Sequence, residues 1–307
     1  MTAATADARP TRPSRAKRNL ALLGTALLVG WAVFTIDVEI ERLADLPGGL
    51  ALIFHNMFIE DGLDWSSLGD GLLLMLESIQ IAWLGTIIGA ILSLPLGFFG
   101  AKNITSGTVS NIVRQVLNAI RAIPEIIVAA IVFIPMVGLG PYAGTLAIGV
   151  HSIGTLGKLS AEVIEGIDPG PVEAARAAGG RSLQVQRWGV LPQVMPEIIA
   201  FWLYRFEINV RASAILGVVG AGGIGESLQQ ALIFGRYPRA GMLILVVIVA
   251  TILVDVVSGW ARRRIIEGSG AKGGSGEPIE EPDFAVAGAG KADTTGIGAA
   301  DGDGGPA

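Results

Sequence analysis

The chain has 307 residues, of which 51% are hydrophobic and 16% charged, and its mean hydropathy is +0.59. Soluble domains carry about 25% charge, so this composition disfavours a soluble enzyme. The 43 glycines and 6% aromatic content fit helices that pack closely in lipid through small side chains. Cysteine is absent, which excludes disulfides and thiolate metal sites. The net charge of -5 arises entirely in residues 268–307, with 7 acidic and 2 basic side chains; residues 1–267 carry 20 of each sign. No overall basic field exists to bind nucleic acid.

Residues 1–18 form a basic tail with Arg9, Arg12, Arg15, Lys17 and Arg18. The uncharged run 19–36 then has the length of one membrane span. The acidic sequence after Ile36 has no small-residue cleavage site, so segment 19–37 reads as an uncleaved anchor rather than a signal peptide. Residues 38–70 read as an external acidic segment, in which residues 50–59 suit a short interfacial helix. The apolar stretch 72–99 is broken only by Glu77. Residues 126–157 are too long for one span and are divided by Gly138-Leu-Gly-Pro141, which predicts two spans joined by a tight turn. A fifth span over 193–215 contains Glu197, Arg205, Glu207 and Arg211, and a sixth over 241–261 ends at Arg262, Arg263 and Arg264. Residues 268–307, with 12 glycines, read as a disordered acidic tail.

Six spans place both ends on one side. The N-terminal tail, residues 101–121, residues 158–192 and the end of the last span together carry 15 basic residues, against Arg42, Arg236 and Arg239 opposite. The positive-inside rule makes the first face, with both termini, cytoplasmic.

The longest cytoplasmic loop, residues 168–192, predicts two short helices. Asp168 caps the first, with Pro169 or Pro171 in its opening turn, and Gly179-Gly180 supplies a left-handed end. Ser182 is placed to cap the second, which should stop near Leu191-Pro192. Ala174, Ala175, Ala177 and Ala178 make the first helix thin enough to enter a cleft on a partner, although the same residues also suit an ordinary alanine-rich hairpin.

Glu173-Ala174-Ala175, then Gly179, then Leu191-Pro192 resembles the EAA motif of permease subunits of binding-protein-dependent ABC importers. Segments outside the loop narrow the resemblance to phosphonate-importer permeases across residues 71–265. Among them are Leu94-Pro-Leu-Gly-Phe-Phe-Gly-Ala-Lys-Asn103, Ile120-Arg-Ala-Ile-Pro-Glu125, Leu156-Gly-Lys-Leu-Ser-Ala-Glu162 and Arg205-Phe-Glu-Ile-Asn-Val-Arg211. The resemblance implies an all-α integral membrane protein of the type I ABC importer permease fold, with a cytoplasmic coupling helix. It also implies a permease homodimer, two ATPase subunits that bind ATP and Mg, and an external substrate-binding protein. The bacterial cell membrane follows as location, and phosphonate or a related small phosphorus oxyanion as substrate. Import of methionine or another small solute is the alternative within the superfamily. A stand-alone channel or secondary transporter lies outside it and should show inverted repeats.

The chain has no G-x-x-x-x-G-K-[ST] cradle and so supplies no standard ATP site of its own. Gly220-Ala-Gly-Gly-Ile-Gly225 matches a dinucleotide fingerprint in form, but the long apolar run after it lacks the required acid, and a flexible external turn fits better. His55 and His151 are not spaced as metal ligands; His151 suits a helix-packing hydrogen bond. Charges within spans cost about 2.5–3.5 kcal/mol at mid-helix and should face the bundle or a wet cavity. Glu77, Glu125, Lys158, Glu162, Arg205, Glu207 and Arg211 are the candidates, for either a translocation path or intramembrane ion pairs. Glu207 and Arg211, four apart, favour mutual pairing, while Arg205 or Arg211 could offer positive potential to an anionic substrate.

Overall fold

The computed structural model describes residues 15–35, 40–60 and 62–270, and every regular element among them is helical. The expected disordered tail over 268–307 and most of the basic tail fall outside the described residues. Helix α1 (Arg15–Thr35) presents apolar side chains almost all round, as a lipid-facing span must. Helix α2 (Ile40–Phe58) starts ten residues before the interfacial helix expected at 50–59. Its end is fixed against the last helix, where Gly241 leaves no room for a Cβ beside the Met57 carbonyl. A short 3-10 turn, Trp65–Ser67, is capped by Asp64, whose side chain accepts from the Ser66 N–H and the Ser67 hydroxyl.

Helices α3 (Leu68–Gly100), α4 (Gly107–Ala122), α5 (Glu125–Ile127), α6 (Ile134–Val137) and α7 (Pro141–Glu165) build the first half of the bundle. α3 and α7 make its most extensive contact. Gly85, Gly89, Ser93 and Gly97 recur every four residues along α3. A Cβ at Gly85, Gly89 or Gly97 would strike Ile148, Ser152 or Ser160 of α7 respectively. Small side chains at this spacing let two backbones approach closely where no hydrophobic effect drives helices together. Residue numbers rise together in these contacts, so α3 and α7 run parallel, and residues 101–140 must return once across the bundle.

That return differs from the first of the two spans expected within 126–157, which would begin at 126. It comprises α4, then a 77° bend, then a rod of α5, a π-helical stretch Val128–Phe133, and α6. The rod, Glu125–Val137, is only about 20 Å long at 1.5 Å per residue, too short for a hydrocarbon core of about 30 Å. Crossing therefore requires α4 as well. Arg121, grouped by sequence with a cytoplasmic segment, consequently has its backbone at mid-depth: a Cβ at Gly154, near the middle of α7, would stand 2.9 Å from the Arg121 backbone nitrogen.

Helix α8 (Pro169–Ala177), α9 (Ser182–Val185) and a π-helical turn Gln186–Val190 lead into α10 (Leu191–Gly217). The second short helix does not stop at Leu191-Pro192 but continues into α10, with Pro192 in its first turn. Both π-helical stretches stand just before a proline, Pro135 or Pro192, whose missing N–H relaxes the preceding turn. After α10 come α11 (Ile224–Ile233) and α12 (Tyr237–Gly270). α10 runs antiparallel to α3 and α7: Val194 and Ile198 join Ala101 and Ile164 in one core cluster, while Gly223 and Ile224 reach Glu77 and Ser78 at the start of α3. α12 returns parallel to α3, with Leu243 and Val246 against Gly71. The 168–192 loop and the end of α12 therefore share one end of the bundle, opposite α2 and α11.

Among the described residues, three helical stretches, Arg18–Thr35, Trp65–Gly100 and Tyr237–Ile266, are individually long and apolar enough to span a membrane. α7 and α10 are 25 and 27 residues long but carry charge, because they face the bundle interior more than lipid. The glycine-rich turn at 220–225 is a packed corner, not a flexible one. Gly220, Gly222 and Gly223 have φ of 83°, 81° and 74°, the Gly220 carbonyl accepts from the Gly140 N–H at 2.8 Å, and a Cβ at Gly225 would collide with the Ala214 carbonyl.

Candidate functional site: coupling loop and mid-depth polar layer

The loop at one end of the bundle begins with Asp168, whose carboxylate accepts from the Gly170 N–H at 2.9 Å and opens α8 behind Pro169. Gly179 reverses the chain at φ 79°, a conformation that costs an L-residue about 1–2 kcal/mol. Ser182 is not the cap of the second helix: Arg181 takes that position, and its N–H donates to Gln184 Oε1 at 2.8 Å.

What holds α8 against α10 is Gln193. Its Oε1 accepts from the Asp168 N–H at 3.1 Å, and its Nε2 donates to the Asp168 and Gly189 carbonyls at 3.3 and 2.6 Å. Gly189 completes the fit, since a Cβ there would stand 3.1 Å from Val172 Cα and 3.2 Å from the Pro171 carbonyl. Glu173 and Ala174 are exposed, Ala175 is half-buried, Leu191 is half-buried and Pro192 is exposed. Leu183 and Trp188, 79% and 70% exposed, add apolar surface beside them. Between α8 and the α3–α4 turn lies a cavity of about 590 Å³, lined in part by Asn103, Glu165, Glu173, Arg176 and Gln186.

Behind that cavity, polar contacts that sequence reasoning missed tie three helix ends together. Glu165 Oε1 accepts from the Lys102 N–H at 2.7 Å and pairs with Arg114 at 2.6 Å. Arg114 Nε and Ser110 Oγ both donate to the Gly100 carbonyl, and Asn103 donates to the Ile164 carbonyl.

A second constellation lies near the middle of α3, α7 and α10. Asn209 Nδ2 donates to Thr86 Oγ1 at 2.8 Å and to Ser152 Oγ at 3.0 Å, and Arg205 Nε donates to the same Ser152 Oγ at 3.2 Å. Arg205 is 7% exposed, and its Nη2 is buried without a hydrogen-bond acceptor. His151 Nδ1 lies 3.1 Å from the Ile123 carbonyl, the packing contact its position suggested, and 3.5 Å from Glu125. Arg121 and Glu125 both stand within electrostatic range of Arg205 and His151. The sequence placed Arg121 only among the basic residues of the 101–121 segment and within the Ile120–Glu125 resemblance, not in a site.

The remaining intramembrane charges are elsewhere. Arg211 pairs with Glu207 at 3.1 Å and Asp255 at 3.2 Å, and Glu207 also meets Arg262 at 3.3 Å. This chain of alternating charge ties α10 to α12 and leaves Arg211 away from Arg205. Lys158 and Glu162 form an i,i+4 contact at 4.0 Å. Glu77 accepts from the Gly223 N–H at 3.3 Å. Among the described residues, no cluster of His, Asp and Glu could hold a metal ion.

The family described as "Binding-protein-dependent transport system inner membrane component" matches residues 93–267, a stretch that includes both constellations apart from Thr86. The chain belongs to this family. The phosphite transport system permease protein PtxC of Stutzerimonas stutzeri is 38% identical over 243 residues, covering 79% of this chain and 86% of that protein. The phosphate-import permease protein PhnE of Mycolicibacterium smegmatis is 40% identical over 191 residues, covering 62% of this chain and 36% of that longer protein. The fold is the type I ABC importer permease fold. Structures of the inward-facing MetNI methionine ABC transporter superpose with a TM-score of 0.58 at 24% identity, covering 64% of this chain and 96% of that one. An amino acid ABC transporter with histidines gives 0.53 at 19% identity, covering 66% and 99%. As an inner-membrane transport component the chain is a multi-pass membrane protein, and the bundle accounts for its crossings.

Proposed function

We propose that the chain is the permease subunit of an ATP-driven importer for a small phosphorus oxyanion such as phosphite, phosphonate or a phosphate ester. The substrate class rests on the relatives named for phosphite and phosphate transport, together with a matching positive charge inside the bundle, where Arg205 is buried with a free donor. The observation that carries the coupling role is the clamp of Gln193 on Asp168. A thin helix with an exposed Glu173-Ala174 face is fixed to the foot of a membrane-crossing helix, so a push on α8 reaches α10. Such a lever serves a partner that moves, and hydrolysis of ATP with Mg belongs to two cytoplasmic ATPase subunits rather than to this chain.

In this reading the loop end is cytoplasmic and both termini lie there. Counting Arg121 out of the cytoplasmic segment still leaves the basic excess on that side. Two copies of the chain surround the path, and an external binding protein delivers substrate to the α2–α11 end. Arg205 faces the path, whereas Arg211 serves pairing. Alternation of the dimer between outward-open and inward-open arrangements moves the substrate. Copurification of this chain with an ATPase, and stimulation of that ATPase by binding protein loaded with phosphite, methylphosphonate or phosphate, tests the proposal. A chain that purifies alone and conducts solute without ATP is a channel, and the proposal fails.

A further inference from the structure

The mid-depth layer contains more charge than helix packing uses. Gly154, which sets the depth of Arg121, is the fourteenth of the 25 residues of α7; Arg205 is the fifteenth of the 27 in α10. The backbones that carry both cations therefore sit roughly 17–21 Å from either helix end. Arg121 is exposed on this protomer at a depth where facing lipid costs about 2.5–3.5 kcal/mol even on the mild scale. That side of the bend must line water or another subunit. Arg205 is more than nine-tenths buried, its Nε is occupied by Ser152, and its Nη2 has no acceptor. A buried guanidinium left partly unsatisfied is costly unless an acceptor arrives.

One carboxylate shares with Arg121 the surroundings of Arg205 and His151. Glu125 is on the first turn after the 77° bend, its side chain 28% exposed, close to His151 and within electrostatic range of Arg205. Two guanidinium groups and one carboxylate leave one positive charge among these three side chains. A tetrahedral oxyanion offers several acceptor oxygens to Arg forks and brings the charge to zero or below.

We propose that Arg205 and Arg121 form a transit site for the phosphorus oxyanion. Glu125 is its resident counter-ion, yielding the cations when the anion enters and reclaiming them as it leaves. The inference rests on the importer reading and deepens it. Because the resident carboxylate competes with the passing anion, the site is weak by construction, which suits a permease that must release its cargo.

Binding of phosphite, methylphosphonate and phosphate to the full complex in nanodiscs, without binding protein, tests the site by titration calorimetry. Removing the competitor with Glu125→Gln should tighten binding of whichever anion the wild type imports by about tenfold or more, and slow uptake through delayed release. Arg121→Gln, on an exposed position, should weaken binding in the Glu125→Gln background by a similar factor, and Arg205→Gln should abolish it. If Arg205→Gln does not assemble, the Arg121 variant decides. Equal binding by the wild type and Glu125→Gln, or binding indifferent to Arg121, overturns the site. Failure of the wild type to import any of the three anions with ATP overturns the importer reading instead, so the two failures are separable.

Discussion

Replacing Gln193 with Leu removes the two hydrogen bonds that fasten the start of α8, at Asp168, to the foot of α10, together with the local one to Gly189 in the π-helical turn. An average intramolecular hydrogen bond contributes about 0.5–1.5 kcal/mol net, and the two at Asp168 lie where water can replace them, so the clamp itself should lose about 1.4 kcal/mol. That corresponds to roughly a tenfold rise in the population with α8 detached, at 1.4 kcal/mol per tenfold. The Asp168 N–H loses its acceptor and reports the change directly by hydrogen exchange, which should accelerate by about that factor. In proteoliposomes containing ATPase and binding protein, ATP hydrolysis should persist while uptake per ATP falls severalfold. Gln193→Glu keeps an acceptor for Asp168 but loses both donated bonds, and should be intermediate. Unchanged exchange at Asp168 together with unchanged uptake per ATP for Gln193→Leu would refute the clamp.

Gly189→Val places a Cβ against Val172 and Pro171; overpacking of this kind costs about 1–3 kcal/mol, and lower ATPase retention on purification should reveal it. Gly225→Ala drives a methyl into the Ala214 carbonyl and should abolish the folded permease in thermal-stability and membrane-yield measurements, whereas Gly259→Ala, with open space around it, should not. Arg211→Gln leaves Asp255 and half of the Glu207 pairing unmet, so subunit yield should fall and Glu207→Gln should partly restore it; transport loss at full, unchanged yield would instead place Arg211 on the path.

The long apolar helices were legible because their signal is local: α3 and α12 announce themselves by hydropathy, and Asp168, Pro169 and Gly179 by cap and turn chemistry. The Glu207–Arg211 pair followed from spacing alone. Which arginine of α10 faces the bundle did not, since Arg205 and Arg211 differ only in the neighbours that tertiary packing supplies, Ser152 of α7 for one and Asp255 of α12 for the other. The crossing through α4, α5 and α6 was misread because α4 is amphipathic and the π-helical rod beyond it is apolar, so the hydropathy signal marks only the second half. The 220–225 glycines show the same limit: their composition suggests flexibility, and only the approach of Ser78, Pro141 and Ala214 makes them a rigid corner.

The absence of native cysteine allows a direct measurement of the central claim, that α8 transmits ATPase movement to a phosphorus-oxyanion permease. Ala174→Cys can be joined by a short reversible cross-linker to a single cysteine in the ATPase cleft, with phosphite, methylphosphonate and phosphate uptake followed in proteoliposomes before linking, after linking and after reduction. The account predicts uptake of at least one of these anions that requires both ATP and binding protein, is arrested by the cross-link and returns on reduction. Uptake that proceeds without ATP, or is indifferent to an efficiently formed cross-link, would contradict it.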